Sequence, residues 1–191
     1  MNISPCSLVG SFLITPDKKA DERGFFARTI CRDTFSAFGL VSDFVQSNLS
    51  HNHHAGTLRG MHLQRPPHGE IKLVRCVNGA IFDAIVDLRV GSPTYKKWVG
   101  FELSAENARS LYVPTGFAHG YVTLTDNADV LYNVSHPYHP SAELGLRYDE
   151  PEVGIDWPVA ITSVSAKDDA WPSLTDSEQH FARFDAGSAS R

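Results

Sequence analysis

The chain has few cysteines: Cys6, Cys31 and Cys76 are an odd number at wide spacing, with no CxxC pair. That excludes a disulfide framework and a cysteine zinc site, and suits free thiols in a reducing compartment. Long apolar runs are missing too, none approaching the roughly 18 residues needed to span a bilayer. The start, MNISPCSLVGSFLITPD, lacks the charged lead and long apolar core of a secretory signal. The expected address is the cytoplasm, with no membrane partner. There is no basic block, and the net charge is −5 with histidines neutral. A dedicated nucleic-acid binder needs a positive stripe to displace counterions, so that class is excluded. No repeat and no low-complexity linker interrupts the chain. Its 191 residues suit one domain, residues 1–178, with 179–191 expected to fray as a flexible tail.

What the sequence does hold is a succession of short β-rich runs: GSFLI, GTLRGMHLQ, YKKWVGFEL, SLYVP, GYVTLT and DVLYNV, divided by turn residues at GSPT, PTG and TDN. In KLVRCVNGAIFDAIVDLR, two such runs flank Asn78-Gly79, the preferred pair for a type I′ hairpin. Only RDTFSAFGL, near residues 32–40, and a stretch around SAENA read as helical. The pattern predicts an all-β fold, an antiparallel sandwich or barrel with a few short peripheral helices.

Residues 51–68, HNHHAGTLRGMHLQRPPH, contain five of the nine histidines. GTLRGMH followed later by VPTGFAHG resembles the two signatures of the cupin jelly-roll barrel, whose interior often carries metal-binding histidines. Here, however, Gln64 stands where a metal cupin has its second histidine, and Glu70 is near the carboxylate position but not at it. Zinc or iron needs three or four converging ligands, and only His62 and His119 are sound candidates. His51, His53, His54 and His68 read as loop residues, so no metal is expected.

Strand alternation puts Gly60, His62 and Gln64 on one face. Lys72 shares a face with Val74 and Cys76, and Tyr132 with Val130 and Val134. Singly, each has a plain structural reading: a hydrogen-bonded core histidine, a rim lysine, a packed tyrosine. Together they make chemical sense. An imidazole takes a proton near neutrality, a phenol returns one from another direction, and an ammonium holds a developing enolate. That describes an epimerase working beside a carbonyl without metal or organic cofactor.

DERGFF, LRGMHLQ, KLVRCVNGAIFDAIVDLRVGSPTYKKWVGFELSAEN, LYVPTGFAHGY, GLRYDEP, GIDWP and SAKD occur in this order. Over roughly residues 5–175 the chain resembles the dTDP-4-dehydrorhamnose 3,5-epimerases. The resemblance implies a cupin-type jelly-roll barrel and a homodimer whose active sites are completed by the neighbouring subunit. It implies His62 and Asp168 as the base dyad, Tyr132 as the acid, and Lys72 beside the C4 oxygen. For the nucleotide-diphosphate sugar it implies Arg59 and His119 at the diphosphate, and Gln46 and Asn48 along the nucleotide. Tyr138 would stack on the base, Glu143 and Lys167 would make further contacts, and Arg23 and Phe26 would come across the dimer. Arg59 and His62 fall on opposite faces of a regular strand, so both reach one site only if the strand bulges, with Gly60 the expected place.

Three departures bear on the substrate. Arg28 stands where the family commonly has a glutamate near the base, and Asn133 replaces a lysine ahead of His136-Pro137-Tyr138. The approach to Lys72 reads RPPHGEIKLV in place of a short Gln-Gly-Lys. Arginine only donates hydrogen bonds, so an Arg28 facing the nucleotide would favour a CDP- or GDP-linked sugar. The leading expectation is inversion of C3 and C5 of a dTDP-linked 4-keto-6-deoxyhexose. The alternatives are a single-centre epimerase, one with another nucleotide, a metal-dependent cupin oxygenase, or a sugar-binding module.

Overall fold

The structure is a computed structural model and describes residues 1–175 and Phe181; apart from Phe181, the expected tail, 179–191, lies outside the described residues. Two antiparallel sheets face each other as the cupin-type jelly roll expected. One has the strand order β1 (Asn2–Pro5), β2 (Phe12–Thr15), β10 (Ser110–Val113), β7 (Lys72–Asn78), β12 (Ala128–Val134) and β5 (Gln46–Asn52). The other runs β13 (Glu143–Gly145), β6 (Leu58–Gln64), β11 (Phe117–Thr123), β8 (Ala80–Asp87) and β9 (Trp98–Ser104). A separate hairpin, β3 (Lys19–Asp21) with β4 (Gly24–Phe26), stands exposed.

Alternation along the strands builds three apolar layers. Val74, Val130, Leu111, Ile85, Leu103 and Phe117 fill the space between the sheets. The outer face of the first sheet is covered by α1 (Arg32–Ala37), whose Phe35 packs with Ile14, Leu73 and Tyr112. Outside the second sheet, Met61, Leu63, Val86 and Ala118 are covered by later residues, among them Trp157, Leu174 and a fully buried Phe181. Both sheets are therefore buried on two faces over their central strands.

Three local expectations are corrected. β7 and β8 do not form a hairpin: β7 already has β10 and β12 as neighbours, while β8 lies between β11 and β9 in the opposite sheet. Of the turn pair only Gly79 takes a positive φ, 72°, so the chain crosses between sheets there instead of folding back in a type I′ turn. SAENA is a turn, not a helix. The Asn107 side chain accepts from the N–H groups of Ser104 and Arg109, the local competition that makes asparagine a turn former. His51 also lies inside β5 and not in a loop. That edge strand, QSNLSHN, offers too little alternation to be seen in advance.

Candidate active site

The site begins with an irregularity in β6. His62 lies opposite His119 on β11, but Arg59 lies opposite Tyr121, so β6 has one residue more than its partner over this stretch. Gly60 supplies it, at φ 128°. A Cβ there would stand 2.5 Å from the Gly120 Cα and 2.9 Å from the His119 carbonyl oxygen, so only glycine fits. The bulge restores Arg59 and His62 to the same interior face, at the residue where it was expected.

α2 (Ala166–Asp169) delivers the carboxylate. Ser165 caps it, its Oγ accepting from the Asp168 N–H at 3.0 Å. Asp168 Oδ1 is 2.7 Å from His62 Nε2, and Oδ2 accepts from the Gly60 N–H at 3.3 Å. Burial alone would raise the Asp168 pKa. The bonds from His62, Gly60 and Ser165 outweigh it, and hold the carboxyl below its ordinary value. An ionised Asp168 accepts the Nε2 proton, which leaves Nδ1 as the ring nitrogen able to take another.

The opposite sheet supplies the other groups. Tyr132 on β12 is in register with Asn48 and Val74, and Val134 with Gln46 and Lys72. Residues in register share a face, so Gln46, Asn48, Lys72 and Tyr132 all point inward at the second sheet. Burial raises the Tyr132 pKa, with Arg59 opposing and Glu70 adding, so the phenol is held as an acid. Lys72 Nζ donates to the His62 carbonyl oxygen at 3.2 Å and pairs with Glu70 at 3.2 Å. One proton is thereby fixed on that carbonyl, and the ion pair with Glu70 holds the ammonium at the cavity wall.

These groups line two adjoining cavities that share His62 and Tyr132. One, of about 420 Å³, adds Gln46, Asn48, Lys72, Tyr138, Glu143 and Lys167. Lys167 Nζ bonds both Glu143 oxygens, at 2.6 and 2.7 Å, and the Tyr138 hydroxyl donates to Glu143 at 2.9 Å. The other, of about 340 Å³, adds Arg59 and Asp168. Most of the expected residues thus line one or other of two cavities that share His62 and Tyr132.

Three do not. His119 is buried, its Nε2 2.7 Å from Asp83 Oδ1, and it lines neither cavity although its Cα is opposite that of His62. Arg23 and Phe26 belong to the exposed β3–β4 hairpin, where Arg23 pairs with Asp21. Phe26 and Arg28 line a third cavity of about 220 Å³ with Cys31 and Thr34. His51 pairs with Asp129 at 2.6 Å, and His68 stacks on His139 at 4.0 Å between ring centres. Among the described residues no three His, Cys, Asp or Glu side chains gather as a metal site.

Sequence reasoning passed over Glu70 and His136 as parts of the cavity wall. The spacing of Glu70 two residues before Lys72 was the available signal. His136 carried none beyond its nearness to Tyr138.

A sequence model described as dTDP-4-dehydrorhamnose 3,5-epimerase matches residues 5–176. A 3,5-epimerase of that name from Sinorhizobium fredii is 47% identical over 163 residues, covering 85% of this chain and 84% of the relative. A dTDP-4-dehydrorhamnose 3-epimerase from Streptomyces niveus is 40% identical over 169 residues, covering 88% and 81%. Among solved structures, the Legionella pneumophila dTDP-6-deoxy-D-glucose-3,5-epimerase in complex with dTDP-4-keto-L-rhamnose superposes with a TM-score of 0.89. It is 37% identical, with 97% of this chain and 99% of that one covered. A dyad facing a tyrosine across a barrel mouth, a family model spanning nearly the whole length, and relatives at this identity agree: the chain belongs to the dTDP-4-dehydrorhamnose 3,5-epimerase family.

Proposed function

We propose that this isomerase inverts C3 and C5 of dTDP-4-dehydro-6-deoxy-D-glucose to give dTDP-4-dehydro-L-rhamnose, using no cofactor. The observation that carries the reading is the dyad of His62, on β6 of one sheet, with Asp168 on α2 behind it, set across a shared hollow from Tyr132 on the other sheet, with Lys72 alongside. The 4-keto group acidifies the hydrogens on both neighbouring carbons. His62 removes one through Nδ1, and Asp168 stabilises the imidazolium that forms. The Lys72 ammonium takes the C4 oxygen as enolate charge collects there. Tyr132, kept protonated by burial, returns a proton to the opposite face, and the ring then presents the second carbon. Acid–base help of this kind contributes about 10²–10⁴-fold.

In the same reading Arg59 meets the diphosphate from the second cavity, and His119, on the neighbouring strand β11, is assigned to the same group. Gln46, Asn48 and Tyr138 line the nucleotide, with Glu143 and Lys167 beside them. The assembly is a homodimer, and the partner subunit's Arg23 and Phe26 complete the site. Support comes from their exposure in the hairpin and from β5, an edge strand on which Leu49 is 65% exposed. Apolar surface on an unpaired edge is what a partner covers. Cys6, Cys31 and Cys76 are unpaired, in keeping with a cytoplasmic enzyme.

The test is solvent deuterium incorporation into dTDP-4-dehydro-6-deoxyglucose, read by NMR for wild type, His62→Ala and Tyr132→Phe. Deuterium at both carbons, abolished in His62→Ala, is expected. Incorporation at C3 alone would make this a single-centre enzyme. No incorporation would overturn the dTDP reading and send the assay to CDP- and GDP-linked keto sugars.

A further inference from the structure

Trp171 has no part in the mechanism above, yet it lies against the base. Its ring centre is 6.2 Å from that of His62, with the two planes at 70°. The indole rests on Gly145, the β13 residue in register with His62 on β6. A Cβ on Gly145 would stand 2.0 Å from two atoms of that ring and 2.4 Å from its nitrogen. No rotation of a planar ring absorbs an overlap of that size, so Gly145 is the space in which Trp171 lies. The Lys167 ammonium stands 5.9 Å from the indole centre and is itself tied to Glu143. Trp171 Nε1 is buried without a hydrogen-bond partner, so the ring is held there by packing and not by a polar bond of its own.

We propose that Trp171 is a positioning residue for the catalytic base. It walls one side of the His62–Asp168 hydrogen bond and holds α2 against β13. The physical case has two parts. α2 is four residues long, too short to be stable by itself, so the position of Asp168 depends on what anchors its ends. Ser165 anchors the start through its cap, and Trp171, two residues past the end, anchors the finish on Gly145. In addition, His62 is 30% exposed at its side chain while Asp168 is 6% exposed. An apolar plate beside that bond keeps water from competing for it and strengthens the carboxylate's hold on the imidazole. A base loosened in this way still binds substrate but reaches the productive geometry less often, so the loss falls on kcat.

The inference rests on the epimerase reading for its kinetic test but not for its spectroscopic one. Trp171→Ala is expected to lower kcat about tenfold with KM within about twofold of wild type, and Trp171→Phe to recover most of the loss. Gly145→Ala should reproduce Trp171→Ala, because it evicts the ring from the other side. Since both remove one contact, the double variant should be no slower than the worse single one. Independently of substrate, the proton shared by His62 and Asp168 should give a downfield ¹H–¹⁵N signal, assigned by its disappearance in Asp168→Asn. It should exchange faster with water in Trp171→Ala and Gly145→Ala and be preserved in Trp171→Phe. Unchanged kcat and unchanged proton exchange in Trp171→Ala would overturn the proposal. So would losses that multiply in the double variant, or a loss confined to KM. If wild type incorporated no deuterium, the epimerase reading would fall while the proton-exchange comparison still decided the role of Trp171.

Discussion

Asp168 offers the sharpest test of the dyad, because two substitutions at that position separate charge from tautomer. In wild type the carboxylate accepts from His62 Nε2 at 2.7 Å and from the Gly60 N–H at 3.3 Å. Asp168→Ala removes a charge-assisted hydrogen bond of about 1.5–3 kcal/mol, which is about ten- to a hundredfold in rate at ~1.4 kcal/mol per decade. Asp168→Asn keeps the shape but offers His62 an amide. If that amide donates, Nε2 must accept, the ring proton moves to Nδ1, and the nitrogen facing the substrate can no longer act as base. The analogous change in a serine-protease triad costs ~10⁴ in kcat for the same reason. The isosteric variant should therefore be the slower one, by about a hundred- to a thousandfold. The assay is single-turnover conversion of dTDP-4-dehydro-6-deoxyglucose, with added formate as a small carboxylate. Formate should restore part of the rate in Asp168→Ala, where space has been opened, and none in Asp168→Asn. Equal losses in the two variants, or a milder loss in Asp168→Asn, would refute the tautomer argument.

Tyr132→Phe should reduce inversion by about 10²–10⁴-fold while deuterium still enters at the first carbon, because His62 can return the proton to the face it came from. Wash-in lost together with inversion would remove Tyr132 from the acid role. The lowered pKa of Asp168 gives a stability effect of definite sign. Its contribution is present above the unfolded carboxyl value, about 3.9, and is lost as pH falls through the lower folded value. The difference in denaturant midpoint between wild type and Asp168→Asn should therefore hold above about pH 4 and shrink as the pH falls below it; a constant difference would contradict it. Gly60→Ala, placing a Cβ 2.5 Å from the Gly120 Cα at positive φ, should cost more than about 2 kcal/mol in denaturant unfolding. A near-neutral result would mean that the bulge tolerates a side chain.

The parts legible in the sequence were those whose signal is local. His62, Lys72 and Tyr132 sit on strands with clear alternation, so their inward faces followed from counting by twos. The bulge followed from a contradiction: Arg59 and His62 cannot share a face on a regular strand, and a glycine stood between them. Asp168 had no such signal. It lies 106 residues from His62 on a helix of one turn, and only the family resemblance pointed to it. The Asn78-Gly79 hairpin failed for the converse reason. Turn chemistry is local, but whether two strands pair depends on which edges are already taken, and β10 and β12 had taken both edges of β7. The β5 strand and the β3–β4 hairpin were missed because exposed edges bury too little to impose a pattern.

The jelly roll also accounts for why the base and acid of the proposed reaction come from strands so distant in sequence. A reaction that removes a proton from one face of a sugar and returns one to the other needs two groups facing each other across the ring. Two packed sheets stand about 10 Å apart, and where their inner faces turn from apolar to polar, opposed side chains enclose a space one sugar ring deep. His62 and Tyr132 occupy such opposed positions, one on β6 and one on β12. Lys72 lies on the Tyr132 sheet but reaches across to donate to the His62 carbonyl oxygen. The ammonium assigned to the enolate in the proposed mechanism thus also ties the two sheets together. Any change that widened the gap between the sheets would withdraw it from the base and from the developing charge at once.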